Sequence, residues 1–313
     1  MHAVIATGWG APDVLEHAVV PLPTPGVGEV LVAVHATGVN PVDWKSRASG
    51  GFGLWQDPPI VGWDVSGVVA GVGAGASPHR VGDEVFGMPL FPRQAGAYAE
   101  YLVAPSRHLA PKPAALSHVE AAALPLVGLT AYQGLAEVAG VQPGQRVLVH
   151  AAGGGLGHIA VQIAKALGAH VIGTASASKH EWLRSLGADE LIDYTTVDFA
   201  TAMDAVDVVF DPIGDGYGER SLDVLRDGGT LVSIPSPSEP GPDVEAAAAV
   251  RGISTGWMLV EPDRHGLLAL ADLVAAGSLH PTIAAVFPLA EAARAHELGE
   301  QGHTAGKIVL RVR

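Results

Sequence analysis

One stretch constrains this chain more than any other: Val147-Leu148-Val149-His150-Ala151-Ala152-Gly153-Gly154-Gly155-Leu156-Gly157. A β-branched apolar run leads into a cluster of small residues and then into a helix-like run at 156–167, the order strand, tight turn, helix. Ala152, Gly154 and Gly157 fit A-x-G-x-x-G, a small-residue version of the dinucleotide fingerprint. The pattern has a physical reason. Across Ala152, Gly153, Gly154, Gly155, Leu156 and Gly157, backbone amides reach a diphosphate only where no side chain intervenes, and a helix N-terminus turns its partial positive charge to the same point. Gly154 permits the close approach and Gly157 the packing of helix on strand. A glycine cluster alone also fits an ordinary strand-to-helix turn, and only the pattern of the downstream chain separates the two.

Downstream, the chain alternates. Strand-like runs at 146–151, 170–174, 190–193, 206–211 and 229–234 are separated by helix-like runs near 156–167, 179–186 and 218–225, the signature of a parallel sheet flanked by helices. Residues 235–243, dense in Pro, Ser and Gly, read as a loop; a possible strand at 250–259, a helix at 264–275 and a closing strand at 307–312 complete the chain. The first hundred residues have another texture, with strands at 2–7, 29–36, 65–72 and 97–103 between Gly/Pro turns. Ser117 and Glu120 have capping-box spacing before an Ala-rich run, and mark the candidate domain boundary.

The end of the second strand addresses which dinucleotide. An NAD site carries Asp or Glu about 20 residues after the first glycine, to accept from the ribose hydroxyls. Here the sequence is Gly173-Thr174-Ala175-Ser176-Ala177-Ser178-Lys179, without an acid. Hydroxyls and an ammonium bind a 2′-phosphate that a carboxylate would repel, so NADPH is expected over NADH. Lys179 opening a solvated helix capped by Ser176 is the plainer reading, and the two roles can coexist.

Composition closes off other classes. The 313 residues carry 18 Lys and Arg against 32 Asp and Glu, a net charge of −14, the wrong sign for a nucleic-acid partner. There is no cysteine, which removes disulfides, thiolate zinc sites, iron–sulfur clusters and cysteine nucleophiles together. The 14 histidines show no HExxH spacing, so no metal is expected, and no G-x-S-x-G elbow supports a hydrolase. The N-terminus does not read as a signal peptide and every apolar run is broken too early to span a bilayer, giving the expectation of a cytoplasmic protein with no membrane partner. Trp44, Phe52, Trp55 and Trp257 are candidates to line an apolar pocket, and 291–300 reads as a solvated, charged helix face.

In its motifs the chain resembles the medium-chain dehydrogenase/reductase superfamily, in its zinc-free quinone oxidoreductase branch. The resemblance is carried by GxVLVxVxAxGVNPxD at 28–43, the Gly62-Trp63-Asp64 region, VGDEVFG at 81–87, GxYAEY at 96–101, LPLVGLTAY at 124–132, HAAGGGLGHIAVQIAKALGAHVIGTAS at 150–176, LGAD at 186–189 and GKIVL at 306–310. It implies an α/β fold: a doubly wound Rossmann sheet at 118–276 clasped by a GroES-like, partly open β-barrel domain of 1–117 completed by 277–313, with NADPH in the cleft between them. By position it places Ser176, Lys179 and Tyr194 at the 2′-phosphate, Thr130 by the nicotinamide and pyrophosphate, Thr174 and Lys307 with the cofactor set, and Asn40 facing the active site. It implies hydride transfer to a quinone or to the C=C of an enone or enal, and a homodimer through 250–259.

Zinc-dependent relatives carry a cysteine at or beside the Asn40 position and G-H-E where this chain has Gly62-Trp63-Asp64. Without a Lewis acid, a conjugated acceptor suits the site better than an alcohol, since hydrogen-bond donors can meet charge on the distant oxygen and one proton completes the reaction. Asn40, Tyr132 and Lys45 are the candidates to serve that chemistry, with Asp64 in a structural role and solvent as another proton source. Two other readings stand beside this one: a dedicated enoyl-thioester or polyketide-type reductase, and a protein that binds NADPH without turning it over.

Overall fold

The alternation downstream of residue 145 folds into a six-stranded, wholly parallel sheet in the order Glu190–Ile192, His170–Thr174, Arg146–Val149, Val206–Asp211, Leu225–Ser233, Ser254–Trp257. The computed structural model describes residues 1–51, 57–214, 216–234 and 240–313. By chain order the sheet runs 3-2-1-4-5-6, so the topological switch lies between Arg146–Val149 and Val206–Asp211, where open α/β sheets place their ligands. Val147, Leu148, Val149, Val209 and Phe210 have no exposed surface, as strands covered on both faces require.

Two segments of this region differ from expectation. Pro242–Val250 is a helix, so 242–243 open a helix rather than continue a loop and 250 ends one. Pro242 occupies the first helical turn, Asp243 and Glu245 favour its N-terminus, and the Ala run has the strongest helix propensity available. The strand is confined to Ser254–Trp257. Residues 235–239 lie outside the described residues, as do Phe52 and Trp55.

The chain divides into two compact units. One comprises Met1–Leu129, Glu261–Gly277 and Pro281–Arg313; the other comprises Thr130–Val260 with Ser278–His280 and holds the parallel sheet. The first unit is built on a seven-stranded sheet ordered Ile283–Pro288, Lys307–Arg311, Glu29–Val39, Val65–Val72, Glu84–Gly87, Leu109–Pro111, with Tyr101–Pro105 also pairing to Glu29–Val39. Glu29–Val39 can serve three partners because it is long: its first half pairs with Tyr101–Pro105, its last residues with Lys307–Arg311, and register shifts at 31/32 and 34/36 bend it along Val65–Val72. Val30, Val32, Val34, Val65, Val69, Val85, Leu102 and Leu109 fill the interior of this sheet. The expected strand at 97–103 ladders only from Tyr101, with Ala99 making a single bridge to Ala3.

Ser117 and Glu120 form the expected capping box at the start of His118–Ala122. The helix Ala292–Glu300 corrects the reading of 291–300 as a solvated face: Ala292, Ala295, His296 and Gly299 are buried, a 3–4 spacing that the charged residues between them mask in the sequence. Among the described residues no helix is long and apolar enough to cross a membrane.

Candidate functional site

In the parallel-sheet unit, the strand Arg146–Val149 delivers His150 and Ala151 to the glycine turn. Ala151 takes a left-handed φ of +47°, which a small side chain tolerates. The bend is tied to the second strand: Ala152 N–H donates to Thr174 O at 2.9 Å and Ala151 N–H to Thr174 Oγ1 at 3.2 Å. His150 is fully buried behind it, with Nδ1 3.3 Å from Thr174 Oγ1 and Nε2 3.1 Å from Ser221 Oγ. Burial, and then the charge of Arg220, push its pKa down to about 3, so the imidazole is a neutral hydrogen-bonding brace. Thr174, placed with the cofactor set by resemblance, is committed to this brace.

The turn fits a diphosphate. A Cβ on Gly157, where the helix Gly157–Ala166 begins, would stand 2.2 Å from Ala151 O, and no side chain caps that helix start. At that start His158 N–H donates to Gly154 O at 3.2 Å and Ile159 N–H to Leu156 O at 3.1 Å, so backbone hydrogen bonds close the turn. Lys179 crosses from the end of the second strand and lies over Gly153, its Nζ 3.1 Å from Gly153 O, so two parts of the expected cofactor set are brought together. Burial lowers the Lys179 pKa. Ser176 is half-buried, with Oγ 3.2 Å from Ser178 Oγ. Tyr194 is exposed on the rim of a pocket of about 250 Å³ formed with Phe199, Asp198, Tyr217 and Arg220, which Ser176 and Lys179 do not line. Thr130 is buried, and Tyr132 is half-buried at the end of the helix Pro125–Tyr132.

In the first unit, Asn40 ends the long strand and caps the helix Pro41–Ser49, and its own N–H donates to Asp43 Oδ2 at 2.7 Å. Its side-chain amide is committed on both sides. Nδ2 donates to Asp64 Oδ2 at 2.8 Å, and Oδ1 accepts from Lys307 Nζ, which also donates to Val39 O at 3.0 Å. Asp64 Oδ1 accepts from Leu126 N–H at 2.7 Å, and Thr37 Oγ1 donates to Asp64 O at 2.7 Å. Lys307 and Asp64 stand 3.8 Å apart, both buried. Burial raises the Asp64 carboxyl and lowers the Lys307 ammonium, while each charge opposes the shift of the other.

Lys307 thus supports Asn40 from a buried position. Lys45 is exposed on the same helix as Asp43 and does not join this centre. Trp44 packs on Gly299, where a Cβ would meet its ring at 2.6 Å. Sequence reasoning missed Asp43, Tyr98 and His296. Asp43 had a signal, the acid three residues after Asn40; Tyr98 and His296 had none, since 198 residues separate them. The donor set does not fit zinc. The chain has no cysteine, both Asp64 oxygens are occupied, and among the described residues no three His, Asp or Glu side chains are grouped so that they could hold a metal ion.

A doubly wound sheet with a glycine turn at its switch point, and a unit of the GroES-like kind carrying a buried Asn–Asp–Lys centre, define a two-domain dehydrogenase or reductase of the dinucleotide-binding class. Residues 26–114 match the family described as alcohol dehydrogenase GroES-like domain, and 186–310 that described as zinc-binding dehydrogenase. The chain is 36% identical to a 2-haloacrylate reductase of Burkholderia sp, over 96% of each chain. It is similar to the structure of the quinone oxidoreductase from Coxiella burnetii, with a TM-score of 0.93, 37% identity and coverage of 100% of this chain and 99% of that one. A mycobacterial protein solved in complex with NADPH superposes with a TM-score of 0.87 at 32% identity, over 100% of each chain. The chain belongs to the medium-chain dehydrogenase/reductase superfamily, in its quinone oxidoreductase-like branch, and is an NAD(P)H-dependent oxidoreductase.

Proposed function

We propose that the protein uses NADPH to reduce a quinone or the C=C bond of an α,β-unsaturated carbonyl, without a metal. The observation that carries the reading is Lys179 laid across the glycine turn, from the end of a strand that bears no acid. The names of the quinone oxidoreductase and the 2-haloacrylate reductase support the acceptor class. When bound, the cofactor supplies a hydride. The turn 152–157 receives the diphosphate, Ser176, Lys179 and Tyr194 hold the 2′-phosphate, and Thr130 lies toward the nicotinamide. Asn40, fixed by Asp64 and Lys307, is the group proposed to orient the acceptor, and Tyr132 the proposed source of the proton that completes the reduction.

NADPH consumption measured against quinones, enals and enoyl thioesters, with and without a chelator, tests the activity. Turnover with a quinone or enal, indifferent to chelator, is the expected result. Preference for a thioester would move the assignment to a biosynthetic reductase, and tight NADPH binding with no turnover on any acceptor would sink the catalytic reading.

The cofactor choice has its own test. Ser176→Asp with Lys179→Ala removes a charge-assisted bond and adds a repelling carboxylate, so NADPH affinity should fall by roughly 10- to 100-fold with preference moving to NADH. Unchanged NADPH affinity contradicts the assignment. The protein is further proposed to be a homodimer in which Ser254–Trp257, last in the parallel sheet, pairs with its copy across a two-fold axis. Sedimentation at micromolar concentration should show dimers; monomers alone would refute the pairing.

A further inference from the structure

The helices Pro41–Ser49 and Ala292–Glu300 meet over polar groups that the Asn40–Asp64–Lys307 centre does not use. Asp43 and Arg47 stand one turn apart on the first helix with Ser46 beside them, and His296 and Glu300 one turn apart on the second. Tyr98 stands between, its hydroxyl donating to Asp43 Oδ2 at 3.2 Å and lying 3.1 Å from His296 Nε2, while Arg47 Nη2 bonds Glu300. Asp43, Ser46, Arg47, Tyr98 and His296 are each at most 2% exposed. Yet Asp43 Oδ1, Ser46 Oγ, Arg47 Nε, Arg47 Nη1 and His296 Nδ1 have no partner among the described residues. Native interiors leave few such atoms, and rarely several in one place.

The orphans are complementary. Tyr98 spends its only proton on Asp43, so His296 Nε2 carries the proton offered to the Tyr98 oxygen and Nδ1 is a bare acceptor. Asp43 Oδ1 is a second acceptor, whereas Arg47 Nε–H, Arg47 Nη1–H and the Ser46 hydroxyl donate. Water does both. An anion would face the carboxylate and the imidazole lone pair, and a cation would face the guanidinium.

We propose that this site holds a fixed cluster of buried water molecules, and that Asp43, solvated by it, is a positioning residue for Asn40, whose N–H it holds. The positioning half rests on the role given to Asn40 above; the hydration half does not. Burial pushes the Asp43 carboxyl up to about 7, reinforced by Asp64 and opposed by the Asn40 N–H, Lys307 and the Tyr98 hydroxyl. Of the other groups around it, Arg47 and Glu300 pair with each other, and His296 is held near 3 by burial and by Arg47, so it stays neutral. Asp43 shares this buried cluster with Asp64, raised by burial, and Lys307, lowered by it, and its Oδ1 is free to take a proton. Its gain weakens the hold of Oδ2 on Asn40.

A crystal structure resolving ordered water should show a molecule bridging Arg47 and His296 Nδ1; a dry or side-chain-filled site overturns the hydration. In wild-type protein, kcat/KM for quinone or enone reduction should fall below an inflection near pH 7, by up to about tenfold per unit. Asp43→Asn keeps an acceptor for Asn40 but does not ionise, so its profile should lose this inflection. An inflection that survives overturns the positioning role. If the variant does not fold, ¹³C-carboxyl NMR of wild-type protein with labelled aspartate decides: one resonance should titrate near 7, and none doing so overturns the proposal. Both the water density and the carboxyl titration are read without substrate, so a failed activity panel would count against the functional reading alone.

Discussion

At the scale of the residue, burial decides what the ionisable groups do. His150 and His296 are held near 3, against 6.5 for the free side chain, because each is enclosed and faces an arginine. Between those values the unfolded chain binds the extra protons, so stability falls as pH drops, by about 1.4 kcal/mol per unit for each histidine. Asp43 runs the other way: its pKa of about 7, against 3.8 free, makes the folded chain bind the extra proton, and this stabilisation is lost as pH rises through 7. These three groups together give a slope of roughly one proton from pH 6.5 to 4, steepening toward about two below 4 as the Asp43 contribution saturates; His35, His108 and His118, lowered by burial, add to the fall, and Asp64, raised by burial, opposes it. Urea midpoints across this range should show the loss, and His150→Asn should remove one proton from the slope. A flat wild-type profile, or a variant with an unchanged slope, would contradict the account. None of this was legible in the sequence, where 14 histidines look alike and only packing distinguishes His150 and His296 from the rest.

At the scale of the element, legibility followed the local character of the signal. The glycine turn, the central parallel strands, the helix Arg264–Ala275 and the Ser117 capping box each carry their instruction within a few adjacent residues, and all are found where the sequence places them. The short strands Leu15–Val19, Glu84–Gly87 and Leu109–Pro111 carry none, because partners outside each segment recruit them. Ser254–Trp257 shows the same dependence: Thr255, Gly256 and Trp257 become strand by pairing with Leu231, Val232 and Ser233. The glycine turn was legible as a bend, but its brace was not. Thr174 and His150 belong to the hydrogen-bonding of two strand ends and a helix, and no spacing rule joins residue 150 to 174 and 221.

At the scale of the whole molecule, the candidate chemistry divides along the chain. The parallel-sheet unit carries the glycine turn with Lys179, and the other unit carries Asn40, Asp64 and Lys307. In that second set the partners are 24 and 267 residues apart, although the three side chains form one buried cluster. Lys307 sits on a strand inserted between Ile283–Pro288 and Glu29–Val39. During synthesis Asn40 and Asp64 emerge long before their cation, and until residue 307 is added, Asn40 lacks its ammonium partner and the edge of Glu29–Val39 stands open. A ribosome stalled a few dozen codons early would therefore release a nascent chain with its nucleotide-binding half already encoded, yet with an unzipped sheet and no finished polar centre, a natural substrate for chaperones and proteases.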